Sequence, residues 1–380
     1  MELNEKIIKY LKSKEAETLE LIETLCKIPA PSWQEKARAE FCRDWLTSHG
    51  AKGVYIDEAL NTVYPVGCEG CDDIVVFMAH TDTVFPDTEP MPFYSDGEYI
   101  HSPGVGDDTA CLAVLMMVAR FVAEEGLTPS TGILFVADSG EEGLGNLKGV
   151  SQIMKDFEGR VRELYSFDGM YDAVVNRCVG SHRYEITVKT EGGHSYGSFG
   201  KRNAIHAAAE LITALYDCAL PQEEGSKTTF NVGIIEGGTS VNTIAQNAKL
   251  LYEYRSDSDA CLEQMKKFFE KRISEAKKDE EVDIDVKVVG IRPCGRGVDM
   301  EHLSKMTERA AKISERYSGM KCAVRSGSTD ANIPMSLGVP AITLGAYLGD
   351  GAHTREERVL IKSIPVGLKI AADLILSYFE

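Results

Sequence analysis

The sequence predicts an α/β protein: a domain built on a mostly parallel sheet flanked by helices, with a ferredoxin-like α+β domain inserted into it. Three observations predict this. Short apolar runs alternate with helical patterns along the first part of the chain, the signature of a buried sheet with crossover helices. From about residue 181 the order becomes strand, helix, strand, strand, helix, strand, which is the split βαβ plan. After Arg292-Pro293-Cys294-Gly295 the α/β texture returns. At 380 residues the chain exceeds one ordinary core, so two domains are expected. The expected limits are 1–180 with 293–380 for the outer domain and 181–292 for the insertion.

The elements follow in order. Met1 to Lys14 mixes charged and apolar residues at helical spacing and lacks the uninterrupted apolar core of a secretory signal, so a cytoplasmic chain is expected. Ile74–Ala79 is the clearest strand, and Ile133–Ala137 and Leu164–Phe167 read the same way. Cys111 to Ala123 is apolar on nearly every side, the mark of a buried helix. In the insertion the strands are Tyr184–Thr190, Thr229–Glu236, Lys249–Arg255 and Val282–Val289, with helices at Asn203–Cys218 and Asp259–Lys278. Ala341–Leu344 is one more buried strand.

Composition excludes several classes. The chain is 43% apolar and 26% charged, with no run apolar enough to span a bilayer. A formal charge of −18 opposes binding to phosphate backbones, so no nucleic-acid partner is expected. A nucleotide-binding loop is missing too, since Gly104-Val105-Gly106 is only half of a GxGxxG signature. Ten cysteines in a chain of this kind read as reduced, small buried groups. Cys68 and Cys71 form a single CxxC without the second pair that a structural zinc clasp needs.

Ligand-type residues follow one strand after another: His80, then Glu141 and Glu142, then Asp168. In open α/β sheets such strand ends line one crevice. Asp107 and Asp108 open the buried helix, and His353 sits in a Gly-rich loop, so both can reach that crevice. Several carboxylates gathered there repel one another unless cations join them. Imidazole plus carboxylate suits zinc best, with manganese or cobalt as alternatives. Asp82, two residues beyond His80, faces the same way in extended chain and can hold the second imidazole nitrogen. Glu141 and Glu142 face opposite ways, so one can ligate while the other handles a proton.

Met78-Ala-His-Thr-Asp-Thr-Val84, Gly104-Val-Gly-Asp-Asp-Thr-Ala110 and Ser139-Gly-Glu-Glu-Gly143 occur in order, between Ile28-Pro-Ala-Pro-Ser32 and Gly351-Ala-His-Thr354. Together they resemble the co-catalytic zinc metallopeptidases that include aminoacylase, carboxypeptidase G, peptidase T, and the acetylornithine and succinyl-diaminopimelate deacylases. The resemblance implies two zinc ions per chain. His80 and Asp168 would bind one, Glu142 and His353 the other, and Asp107 would bridge them, with Glu141 as general base. It also implies a cis peptide between Asp107 and Asp108. The insertion becomes a dimerisation or lid domain, whose His194, in Glu191-Gly-Gly-His-Ser195, serves the partner's active site in a homodimer. Asn242, Arg255 and Arg292 resemble substrate-side groups, since a guanidinium fork suits a carboxylate; by itself Arg255 also reads as a strand-surface partner of Glu253.

Departures from the family pattern are Thr109 and Ala110 where Lys and Gly are frequent, Ser139-Gly140 before the Glu pair, and Ala245 where Pro is common. None removes a named catalytic group. The other histidines read structurally: His49 ends a helix, while His182, His206 and His302 lie on surface elements. The expected activity is amide hydrolysis of small peptides in the manner of peptidase T. A deacylase of N-acyl amino acids is the neighbouring reading, and a metal-free dimeric binding protein the reading from another class.

Overall fold

A computed structural model describes residues 3–379; residues 1, 2 and 380, which the expected domain limits include, lie outside the described residues. The chain divides into two compact units. One joins the described residues through Cys178 with those from Arg296 onward, and the other is Val179–Gly295.

The first unit carries an eight-stranded sheet. Its order is Tyr55–Ile56, Thr62–Val66, Gly132–Asp138, Ile74–His80, Val161–Ser166, Ala341–Leu344, Ala173–Cys178 and Ala323–Gly327. The four central strands run parallel, and antiparallel pairing enters on either side of them. Every residue of Gly132–Asp138, Ile74–His80 and Ala341–Leu344 is buried, which is why these strands read as continuous apolar runs. Across one face the rings of Tyr64, Phe135, Phe77 and Tyr165 form a row, with centroids 5.7, 6.2 and 5.3 Å apart in turn.

The helix Cys111–Glu125 is buried from Cys111 through Val122 and stops at Gly126, whose φ of 61° suits the left-handed cap. Arg120 breaks its apolar surface but pairs with Glu17 and Glu124. One element of this unit has a weak sequence signal. The strands Tyr94–Ser95, Tyr99–His101, Gly349–Asp350 and Arg358–Leu360 form a small antiparallel sheet, too short to show a period. The helix Met300–Ser318 buries Leu303, Met306, Thr307, Ala310, Ile313 and Ser314, one stripe at helical spacing.

In the parallel part, His80 lies opposite Asp138, and Met78 opposite Ser166. The loops carrying Asp82, the Glu pair and Asp168 therefore leave the sheet along one edge.

The second unit is a four-stranded antiparallel sheet in the order Thr228–Gly237, Asn247–Ser256, Gly180–Lys189, Asp283–Arg292. Helices Ala204–Tyr216 and Asp259–Ala276 supply Leu211, Met265 and Phe269 to its core. Alternate residues Ala248, Leu250, Tyr252 and Tyr254 are buried, the period of a half-buried strand. Its strands outrun the apolar patches that announce them. Gly180–Lys189 begins four residues before Tyr184 and stops one short of Thr190, and Asp283–Arg292 runs three past Val289 across a bulge. Backbone pairing continues through the polar residues Ser181, His182 and Arg183.

Two histidines expected on the surface are held inside polar networks. His302 Nε2 lies 2.9 Å from the buried carboxylate of Glu163, and His182 Nδ1 lies 2.9 Å from the Tyr254 hydroxyl. Among the described residues no helix is long and apolar enough to cross a membrane.

Candidate metal centre

His80 ends its strand with a fully buried ring. Its Nδ1 lies 3.0 Å from the main-chain oxygen of Asp82. A carbonyl oxygen can only accept, so Nδ1 carries the hydrogen and Nε2 is left to ligate. The Asp82 carboxylate does face the ring, but at 3.6 Å. It is occupied elsewhere: it accepts the backbone N–H groups of Glu141 and Glu142, both at 3.0 Å, and the Ser32 hydroxyl at 2.6 Å. Asp82 thus sets the Glu-Glu segment as well as the imidazole.

Asp107 stands on a turn that only glycines allow. Gly104 has φ of 73°, and a Cβ there would lie 2.7 Å from Thr83 Cγ2; at Gly106 a Cβ would lie 2.5 Å from Tyr347 Oη. Three N–H groups of the turn, from Gly104, Gly106 and Asp107, donate to the buried Glu357 carboxylate at 2.6, 3.0 and 2.8 Å. The Asp107–Asp108 peptide is cis. Asp107 Oδ1 lies 3.0 Å from His80 Nε2 and Oδ2 lies 2.9 Å from His353 Nε2. Each oxygen of this one carboxylate therefore faces a different imidazole.

His353 Nε2 is also 3.3 Å from Glu142 Oε1, yet that buried oxygen has no aligned hydrogen bond. Ligand atoms of His80, Asp107 and Glu142 all fall within 4.8 Å of one another. Asp168 follows Phe167, whose N–H donates to Met78 O at 2.7 Å beside the His80 strand.

The electrostatics are those of carboxylates and imidazoles crowded together out of water. Burial opposes the charge of Asp107, but hydrogen bonds from His353 and His80 hold its carboxyl well below the usual range. Burial, then the charges of Asp107, Glu141 and Glu142, push Asp168 well up; burial and Asp107 raise Glu142 against the pull of His353. His80 is raised despite burial by Asp107 and Asp82, and contacts with Asp107 and Glu142 lift His353 to about 10. Nitrogen and carboxylate donors without thiols, a buried Glu142 oxygen lacking a donor, and one carboxylate that faces two imidazoles fit a divalent metal.

The remaining candidate residues lie in the second unit. His194 pairs with Thr243, and Ser195 N–H donates to Asn242 O at 2.9 Å, so His194 and Asn242 are neighbours. Arg255 and Arg292 both lie opposite Ser181, from the strands on either side. Arg255 forks onto Glu253 at 2.9 and 3.0 Å, and Arg292 is buried.

The structure adds groups that the motifs did not single out: Ser32, Glu357, Tyr347, and a buried pair formed by Asp138 and Asp330. Burial raises Asp138 to about 7 and Asp330 well above its ordinary value, each further raised by nearby carboxylates. Glu357 follows His353 by four residues with no periodic pattern to mark it.

Residues 76–377 match the model of Peptidase family M20/M25/M40. The chain belongs to that family. As an M20 protein it is a metallopeptidase or amidohydrolase, which removes the reading as a non-catalytic binding protein. A putative succinyl-diaminopimelate desuccinylase of Mycobacterium tuberculosis is 24% identical, covering 95% of this chain and 97% of its own. A tripeptidase from Staphylococcus aureus superposes with a TM-score of 0.75 at 23% identity, over 95% of this chain and 98% of its own. Bacillus subtilis YXEP, described as a dinuclear metal binding peptidase from the M20 family, superposes with a TM-score of 0.65 at 14% identity, over 97% and 99%. The M20 fold of this chain thus carries a candidate metal-binding group, His80, Asp107 and Glu142.

Proposed function

We propose that this M20 hydrolase cleaves amide bonds of small peptides, as a di- or tripeptidase, with two zinc ions held by His80, Asp107, Glu142, Asp168 and His353. The observation that carries the reading is Asp107, whose two oxygens face His80 and His353 separately, as a bridging carboxylate requires. His80 and Asp168 would hold one ion, and Glu142 and His353 the other. Manganese or cobalt would satisfy the same donors. Bound there, the ions supply Lewis acidity and make an attacking water more acidic.

The chain's own residues do the rest. Glu141, buried beside the ligand Glu142, takes the proton of the attacking water and returns it to the leaving amine. Asp82 holds the Glu141 and Glu142 backbone in place. His194 donates to the carbonyl oxygen as charge develops on it, and Asn242, Arg255 and Arg292 bind the substrate, the arginines through its carboxylate. Replacing Glu141 with Ala should abolish turnover while elemental analysis still finds about two metal ions per chain. Retained activity would remove Glu141 from this role.

The M. tuberculosis relative supports a second reading, deacylation of N-acyl amino acids by the same groups. Turnover of short peptides against acetyl- and succinyl-amino acids separates the two. We also propose that the Val179–Gly295 unit makes a homodimer in which His194 of one protomer serves its partner. The outer strand Thr228–Gly237, with Ile234 and Ile235 exposed, supports this as an unpaired edge. Sedimentation of the intact chain at half its dimer mass would refute it.

A further inference from the structure

We infer that Trp33 and Leu144 form a fixed apolar platform at the rim of the metal centre, selecting substrates with an apolar or aromatic side chain beside the scissile amide. The inference rests on the amide-hydrolase reading and goes beyond it to substrate class.

Trp33 is unusual twice over. It is 62% exposed, and it sits at φ of 74°, a backbone region that bulky residues avoid. Such an outlier persists only where its surroundings over-determine it, and here they do. The Trp33 backbone N–H donates to Glu35 Oε1 at 2.9 Å, and its indole N–H donates to Leu144 O at 3.1 Å. The Lys148 ammonium sits 5.1 Å from the ring centroid and is itself bound to Glu35 at 3.0 Å.

The platform joins the metal centre through the chain on both sides. Ser32, just before Trp33, lies 3.2 Å from the Glu142 main-chain oxygen and 2.6 Å from Asp82 Oδ2. Leu144, 54% exposed, is two residues past Glu142. With the indole N–H spent on Leu144, the tryptophan offers a ligand only its apolar ring. A rigid aromatic surface binds an apolar side chain at low entropic cost, and the Lys148 ammonium already beside the ring opposes a second cation there.

The test compares kcat/KM for Phe-Gly, Gly-Phe and Gly-Gly in the metal-loaded enzyme and in Trp33→Gly and Leu144→Ala variants. Glycine accepts the backbone at position 33 without strain. The unaltered enzyme should prefer one phenylalanine peptide over Gly-Gly by about tenfold. In Trp33→Gly that ratio should fall to within about twofold of unity, in KM rather than kcat, and Leu144→Ala should lower it partway. No preference in the unaltered enzyme, or a ratio that survives both substitutions, overturns the platform. Should Trp33→Gly fail to fold by circular dichroism, the Leu144→Ala ratio decides. If no peptide is cleaved but N-acetyl amino acids are, the peptidase reading fails separately, and the N-acetyl-phenylalanine to N-acetylglycine ratio decides in the same variants.

Discussion

Glu357 makes a demanding test of how the centre is held, because it touches the Asp107 turn only through backbone. Replacing it with Ala strands three N–H donors that now bond to it at 2.6, 3.0 and 2.8 Å. A buried donor left without an acceptor costs about 1–3 kcal/mol, so three cost on the order of 6 kcal/mol. Against this stands the relief of a buried acid. Burial raises the Glu357 carboxyl from 4.5 to about 7, so at neutral pH keeping it inside costs about 3 kcal/mol. The net loss is about 3 kcal/mol, read as a lower midpoint with unchanged slope in urea unfolding of the metal-free chain. Glu357→Gln keeps one acceptor oxygen and should lose less. Metal affinity should also drop about 10- to 100-fold, the usual effect of loosening a ligand's support. If Glu357→Ala unfolds within about 0.5 kcal/mol of the parent, near the scatter of ordinary surface changes, and binds metal equally well, the turn is held by something else.

Three further outcomes follow from the same geometry. Contacts with Asp107 and Glu142 raise His353 to about 10, and His80, Asp168 and Glu142 are raised from their ordinary values as well, so loading metal should expel protons from the centre, and affinity should climb with pH; calorimetry in buffers of different ionisation enthalpy counts them, and a count near zero contradicts the picture. Because the folded pKa values of the two imidazoles exceed the unfolded one, the stability that they lend the metal-free chain is complete below about pH 6.5 and drains away as pH rises toward 10, visible as a falling melting temperature. Gly106→Ala forces a methyl to within 2.5 Å of Tyr347 Oη, and should cost about 1–3 kcal/mol of stability together with metal affinity; a variant with normal melting and normal metal content would show that the turn yields freely.

Several features of the fold and site were legible in the chain alone. The buried strands announce themselves because both faces of Ile74–His80 and Gly132–Asp138 are covered, leaving continuous apolar runs. Ligand-type residues at their ends predicted a shared crevice, and His80, Asp107, Glu142 and His353 do meet there. Local geometry at His80 was half legible: the His-x-Asp spacing turned Asp82 toward the ring, but the main-chain oxygen makes the nearer contact.

What only tertiary structure decided lies in contacts between segments far apart in sequence. Glu357 reaches the Asp107 turn across some 250 residues, and Ser32 reaches Asp82 across 50. Neither carries a periodic signal, because one hydrogen-bonding side chain leaves no imprint on its neighbours. The small sheet that ties Arg358–Leu360 to Tyr99–His101 is likewise too short for any period to appear. Sequence by itself determined which residue types and strand ends could form a metal centre, since hydrophobic burial imposes its pattern on every buried position. Packing between distant segments alone decided which carboxylate faces which imidazole, because those distances are set by three-dimensional closure that no local stretch of chain records.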